Sequence, residues 1–289
     1  WGRPVVVENL SRIPGGASRE TYRFDALLGE ERRRLILRRD PVGSLIDTDR
    51  RLEFLAVKSF HGRGVPAPEP IVLDPAGGLL ERPFFIMGRI EVGAAASPFA
   101  PGAYGEHAPT LGEQFFAILG RIAAADPTAL PIAEAAEAPA LDACWRKELD
   151  YWAGVIDEDE IHPQPIVRAA IRRLRANPPP PAQKLSVVHG DYRSGNFLHD
   201  GAGLITGVLD WEMAHIGDPL EDLGWAFDPL WRHFEAEKAG SMLPDAEAIA
   251  IWEKESGLTV DPDAFRWWRL LAAVKGAAIW ISSAKEFRD

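Results

Sequence analysis

The chain is almost without cysteine. Cys144 is the only one among 289 residues, which excludes an intramolecular disulfide and fits a reducing compartment, so a cytoplasmic location is expected. It lies in LDACWRKEL, an amphipathic helical pattern with no His/Asn partner motif beside it, and reads as a packing residue. Long apolar runs are missing too. None approaches the ~20 residues that span a bilayer, so no membrane association is expected. Basic charge is in short supply: 32 Lys and Arg against 43 Asp and Glu give a formal net charge of -11. That argues against binding a phosphate backbone, and nucleic acid is not an expected partner. A site for one polyphosphate remains open, because divalent ions can supply the charge. The chain begins at Trp1 rather than Met; a trimmed leader stays open, though none is visible. No repeat period shows.

A hydrophobic fraction of 46% and a charged fraction of 26% are those of an ordinary globular protein. Residues 5 to 40 alternate as antiparallel strands, VVVENLSRI, ETYRFDALL and RLILRRD, with glycine-bearing turns between them. Asp47, Thr48 or Asp49 can cap a following helix that carries Leu52, Leu55, Ala56 and Phe60 at helical spacing. RGVPAPEPIVLD then approaches a strand, and GGLLERPFFIMGRI completes a hairpin ending at Gly88. Helices dominate from there, over TLGEQFFAILGRIAAAD, 141 to 155 and 165 to 176, the last stopped by NPPPP. The remainder is helical and tryptophan-rich. The pattern predicts a small β-dominated part and a larger helical part, with a boundary near residues 88 to 93.

One hairpin interrupts the helical part. In VVHGDYRSGNFLHDGAGLITGVLDWE, three unlike polar residues, Asp191, Asn196 and Asp210, stand at the ends of apolar runs. Asp and Asn are poor strand residues and suit turns, so each taken singly reads equally well as turn chemistry. Together they say more. An antiparallel hairpin returns its flanks to one edge, so Asn196 and Asp210 can lie close, with Asp191 on the loop just before. A carboxylate and an amide oxygen form a hard-oxygen pair suited to Mg²⁺. A second carboxylate off the metal can orient a hydroxyl and accept its proton. Phosphoryl transfer from a nucleotide needs this set.

A phosphate-handling part is then expected elsewhere. No G-x-x-x-x-G-K-[ST] exists, and no G-x-G-x-x-G opens a helix. Gly15 and Gly16, followed by Ser18, lie between two predicted strands, where backbone amides can approach phosphate oxygens. Taken alone, two adjacent glycines read better as an ordinary turn. Arg38, at the end of a strand, can reach phosphates, and Glu53 on the following helix can hold it; Arg39 alternates to the other face.

H-G-D-x-x-x-x-N at His189 to Asn196, followed by GVLDWE, resembles the aminoglycoside phosphotransferase family of kinase-like enzymes. GGASRETYRF, LRRD, RGVPAPEP, FFIMGRI and IGDPLEDLGW fit in the same order, so the likeness covers most of the chain. The wording is nearest to a branch that includes kinase-like domains attached to some acyl-CoA dehydrogenases. The resemblance implies an α+β, two-lobed protein-kinase-like fold, with a nucleotide-binding lobe over 1–88 and a catalytic and acceptor-binding lobe over 89–289. ATP would sit between them, and a small-molecule hydroxyl would be the acceptor. Asp191 would be the catalytic acid, and Asn196 and Asp210 would hold Mg²⁺. Arg38 stands where aminoglycoside kinases carry a lysine, with Glu53 as its partner. Residues 86 to 90, Met87 and Gly88 among them, would form the hinge against adenine. Arginine for lysine is a departure from the pattern, since a planar fork does not replace a compact ammonium one for one.

Two rival readings remain. A nucleotide-binding scaffold without phosphoryl transfer draws on Arg38 alone. A metallohydrolase built on His189, Asp191 and Asp210 leaves the glycine hairpin and the Arg38–Glu53 pair idle. His189 reads as support for the catalytic loop rather than a base. Asp218 and Asp222 read as loop and helix caps, and Glu212 as lying on the strand face of Asp210. The acidic run 157–160 reads as a solvated loop. The acceptor pocket, from residues 97–110, 140–165 and 228–260, carries no legible motif.

Overall fold

The computed structural model describes residues 2, 4–14, 20–40 and 49–286. Gly15, Gly16 and Ser18, the expected phosphate turn, lie outside the described residues. The N-terminal part is one five-stranded antiparallel sheet in the order β1-β2-β3-β5-β4. Its strands are β1 (Val6–Ile13), β2 (Glu20–Leu28), β3 (Glu31–Arg39), β4 (Pro70–Asp74) and β5 (Phe84–Gly88). The alternation of β2 and β3 buries Phe24, Ala26, Leu28 and Leu35 in one cluster, and the same period sends Arg38 and Arg39 to opposite faces.

Helix α1 (Arg50–Phe60) follows β3 in sequence, and the Asp49 carboxylate caps it by accepting the Arg51 amide at 2.7 Å. Phe54 meets Phe85 of β5 edge-on at 5.9 Å. The other end of α1 faces the helical part: Phe60 stacks on Trp211 at 5.2 Å, and Ser59 Oγ accepts the Ile132 amide at 3.0 Å. One helix thus connects the sheet to the rest of the core.

The helical lobe is built on α2 (Ala108–Ala124), α3 (Cys144–Asp159) and α4 (Pro165–Ala176), then α5 (Leu220–Ala226), α6 (Asp245–Ser256) and α7 (Pro262–Glu286). The stripe expected on α2, Leu111, Phe115, Ile118, Leu119 and Ile122, is buried throughout. Cys144 packs in the same core. The interrupting segment forms two strand pairs rather than one: β6 (Ser186–Val188) with β9 (His215–Gly217), and β7 (Phe197–His199) with β8 (Ile205–Val208). A further small pair, β10 (Lys238–Ala239) with β11 (Leu243–Pro244), has no sequence signal strong enough to anticipate.

Two local expectations are corrected. The acidic run is the last turn of α3, where Asp157 and Glu160 pair with Arg168 and Asp159 with Lys285 at 2.8 Å, because Ile156 continues the buried stripe. Glu212 is not on a strand face with Asp210. Asp210 takes left-handed backbone angles, φ 59° and ψ 59°, and a 3₁₀ turn at Trp211–Met213 follows it. Among the described residues no helix is long and apolar enough to cross a membrane.

Candidate active site

The loop between β6 and β7 carries Asp191. Val187 and Val188 bury β6 completely enough to fix where the loop starts. Gly190 has φ +82°, and a Cβ there would meet the Met213 carbonyl oxygen at 2.3 Å, so only glycine fits. Asp222, on α5, accepts the amides of His189 at 2.6 Å and Gly190 at 3.0 Å, while Lys275 of α7 donates to the Gly190 carbonyl. Burial raises the Asp222 carboxyl to about 7, with the nearby Glu221 charge adding to the shift.

His189 faces inward. Its Nδ1 accepts the Asp191 amide at 3.2 Å, which leaves Nε2 to donate to the Leu209 carbonyl at 2.9 Å. Both nitrogens are used by the neutral ring, and burial pushes its pKa down to about 3. His189 ties the loop to the end of the β8 segment. It is no base.

Beneath the loop, His215 Nε2 lies between Glu148 at 3.4 Å and Glu221 at 3.1 Å. Burial alone would lower its pKa, but the two carboxylates outweigh that and raise it to about 10. One ligand atom each from Glu148, His215 and Glu221 falls within a 4.8 Å span that would suit a metal ion. Lys275 already supplies positive charge there, 3.8 Å from Glu221 and over the rings of Trp152 and Trp225. The set is a charge-balanced support for the loop.

Asp191 is held by three neighbours. The Trp225 indole donates to Oδ1 at 2.8 Å, the Asn196 amide nitrogen donates to Oδ2 at 2.5 Å, and Arg193 Nε lies 3.3 Å from Oδ1. Burial raises its pKa, opposed by Arg193, Lys275 and the Trp225 hydrogen bond. The Asn196 nitrogen also donates to the Asp191 carbonyl at 3.0 Å. With the nitrogen so committed, Asn196 Oδ1 is the free end of that amide.

The hairpin brings Asp210 back to Asn196 as expected: Phe197 pairs with Val208, and the Leu209 amide donates to the Asn196 carbonyl at 2.9 Å. Asp210 Oδ1 lies 3.2 Å from Arg38 Nη1. Arg38 is buried and pairs with Glu53 at 2.8 Å, while Glu212 is 3.6 Å away. Burial would lower the guanidinium pKa, but these three carboxylates raise it. Arg50 joins Glu53 from the other side. Arg39, facing away, pairs instead with Glu20 at 2.6 Å.

Arg38, Glu53, Asp191, Arg193, Asp210 and Glu212 line one cleft of about 900 Å³ between the sheet and the helical lobe, with Met87 and Gly88 on its far wall. The Gly88 amide is used within the fold, donating to Glu69 at 2.8 Å. The donor chemistry fits a magnesium-bound nucleotide: an amide oxygen and a carboxylate for the metal, and a buried cation for phosphate. Arg38 Nε, buried and without a hydrogen-bond partner among the described residues, adds a donor facing no acceptor.

The contacts that Trp225, Arg193 and Lys275 make at this site are not legible in the sequence, where Trp225 reads only as one of several tryptophans that pack the core or line an acceptor pocket. Trp225 is 34 positions from Asp191 and Lys275 is 85 from Gly190, so no local spacing links them. Arg193 lies inside the motif itself, and its charge was the available signal.

The chain belongs to the phosphotransferase enzyme (APH) family, whose model matches residues 9–268. It is 26% identical over 204 residues, 67% of its length, to acyl-CoA dehydrogenase family member 10 of Mus musculus, of which the match spans 18%. It is 32% identical over 171 residues to viomycin phosphotransferase of Streptomyces vinaceus, covering 55% of each chain. The chain spans 18% to 34% of the length of the acyl-CoA dehydrogenase relatives it matches. In fold it is similar to aminoglycoside phosphotransferase APH(4)-Ia in ternary complex with AMP-PNP and hygromycin B, with a TM-score of 0.64 at 18% identity, covering 97% of this chain and 92% of that one. A macrolide 2'-phosphotransferase of Brachybacterium faecium gives a TM-score of 0.64 at 18% identity, over 97% of this chain and 89% of that one.

Proposed function

We propose that this protein transfers the γ-phosphate of ATP to a hydroxyl of a small molecule. The observation that carries the reading is the meeting of Asp191, Asp210 and the Arg38–Glu53 pair at one cleft, from four separate parts of the chain, with the buried Asn196 bonded to Asp191 behind it. Membership of a phosphotransferase family supports it, as does the AMP-PNP bound in a structure of the same fold. The nucleotide lobe is assigned to residues 1–88, and the catalytic and acceptor lobe to 89–289.

In this reading Asn196 Oδ1 and an Asp210 oxygen hold Mg²⁺, which when bound neutralises phosphate charge and fixes the triphosphate. Arg38 contacts phosphate oxygens while Glu53 keeps its fork in place. Met87 and Gly88 border the adenine. Asp191 accepts a hydrogen bond from the acceptor hydroxyl and takes its proton as the oxygen attacks the γ-phosphorus, while the bond to the β,γ-bridging oxygen breaks and ADP leaves. Its raised pKa makes it a better proton acceptor than a solvated aspartate. Trp225 and Asn196 hold the carboxylate still, so its orientation is set before substrate arrives.

One contact supports the second reading, a nucleotide-binding protein without transfer: Arg38 bonds the Asp210 oxygen that a metal would need. ADP release with ATP, Mg²⁺ and a panel of hydroxylated compounds, in wild type and Asp191→Asn, separates the two. Transfer predicts acceptor-dependent release that falls roughly 10²- to 10⁴-fold in the variant, with nucleotide stabilisation unchanged. Stabilisation by ATP with no acceptor-dependent release from any compound supports the second reading.

A further inference from the structure

Arg193 is the cation paired with the candidate base. Arg193 Nε lies 3.3 Å from Asp191 Oδ1, and Nη1 donates to the Ser194 carbonyl at 3.2 Å. The guanidinium carbon lies 4.6 Å over the ring of Trp231. That platform is fixed, because the hydroxyls of Ser194 and Ser241 donate to the Trp231 carbonyl at 3.3 and 2.8 Å. Gly195 leaves the room: a Cβ there would stand 2.9 Å from Arg193 Nη1. Arg193 borders the cleft beside Asp191 and Gly195, and its Nη2 has no protein hydrogen-bond partner among the described residues. A stacked, pinned guanidinium keeps its position, so its free edge is a preorganised donor at the mouth of the acceptor side.

We propose that Arg193 recognises the acceptor, and that the acceptor carries an anionic group, a carboxylate or a phosphate, within reach of the hydroxyl that receives phosphate. This inference rests on the phosphotransferase reading and narrows its substrate class. A fixed cation beside the reacting hydroxyl repels polycationic acceptors and attracts anionic ones. Its pairing with Asp191 also lets the anion share the guanidinium with the base, so the two ends of the acceptor are set by neighbouring groups.

The test is a thermal-shift titration, with and without AMP-PNP and Mg²⁺. Four probe classes of matched chain length are compared: hydroxy carboxylates, their neutral methyl amides, amino alcohols and hydroxyl-bearing phosphate monoesters, with kanamycin as the polycation. The expected result is binding of one anionic class roughly ten- to a hundredfold tighter than the amides, the size of a charge-assisted hydrogen bond. Arg193→Gln should bring that ratio close to one, and Arg193→Lys should retain part of it. The ratio is read within each variant, so a general loss of stability does not imitate the result. Equal or tighter binding of amino alcohols or kanamycin overturns the proposal. So does a preference that survives Arg193→Gln, or the failure of every anionic probe to bind. A protein that binds no AMP-PNP refutes the phosphotransferase reading instead, and the titration without nucleotide still decides the role of Arg193.

Discussion

Arg38 Nη1 lies 3.2 Å from Asp210 Oδ1, joining the end of β3 to the segment that follows β8. In the proposed function a metal at Asp210 would compete with this contact or take the other carboxylate oxygen. Arg38→Lys keeps the charge but not the fork, and the shorter ammonium cannot serve Glu53 and Asp210 together. Its expected effect is a nucleotide affinity about tenfold weaker, the loss of one charge-assisted bond. Arg38→Met removes a partner from the fully buried Glu53, and urea denaturation should register a loss of roughly 3 kcal/mol. Unchanged nucleotide affinity in the lysine variant would contradict this placement of Arg38.

Trp225→Phe removes the indole donor to Asp191 and little else, since the ring keeps its place against Trp231 at 5.1 Å. That hydrogen bond favours the charged carboxylate and lowers its pKa. Its loss should move the acid limb of the kcat/KM profile to higher pH and reduce kcat roughly tenfold. A merely structural tryptophan would lower the melting temperature and leave the limb where it was.

Stability should depend on pH through two histidines with opposite signs. His189 has its folded pKa depressed to about 3 from 6.5. Its contribution is present above 6.5 and is lost as pH falls toward 3, by about 1.4 kcal/mol per pH unit. His215 is raised from 6.5 to about 10. Its contribution is present below 6.5 and is lost as pH rises toward 10, at the same slope. Urea midpoints followed against pH should show His215→Gln flattening the alkaline side by one proton and leaving the acid side alone. The same alkaline slope in the variant would show that His215 is not charged in the fold.

The strands and helices that frame the cleft were legible because their signals are local. Turn glycines, the Asp49 cap, the α2 stripe and the alternation that separates Arg38 from Arg39 each act over a few residues. The pairing of Arg38 with Glu53 was also readable, since α1 is the next element in sequence after β3. What was hidden depends on distant chain. Asp222 and Lys275 reach the Gly190 loop from α5 and α7, and no periodicity in either helix announces it. The error at Glu212 came from the backbone: aspartate tolerates left-handed angles without requiring them, so a strand seemed to continue where Asp210 turns it. The acidic end of α3 has the charge of a solvated loop, and only the burial of Ile156 keeps it helical.

The central claim is that Asn196 and Asp210 hold the metal of a nucleotide complex while Asp191 stands beside it. Manganese, added as a magnesium substitute and followed by electron paramagnetic resonance with AMP-PNP, tests this directly. Wild type should bind manganese tightly only when nucleotide is present, and Asn196→Ala and Asp210→Asn should each weaken that binding at least tenfold, while Asp191→Asn leaves it nearly intact. Manganese binding that is indifferent to nucleotide, or unchanged in the Asn196 and Asp210 variants, would contradict the account.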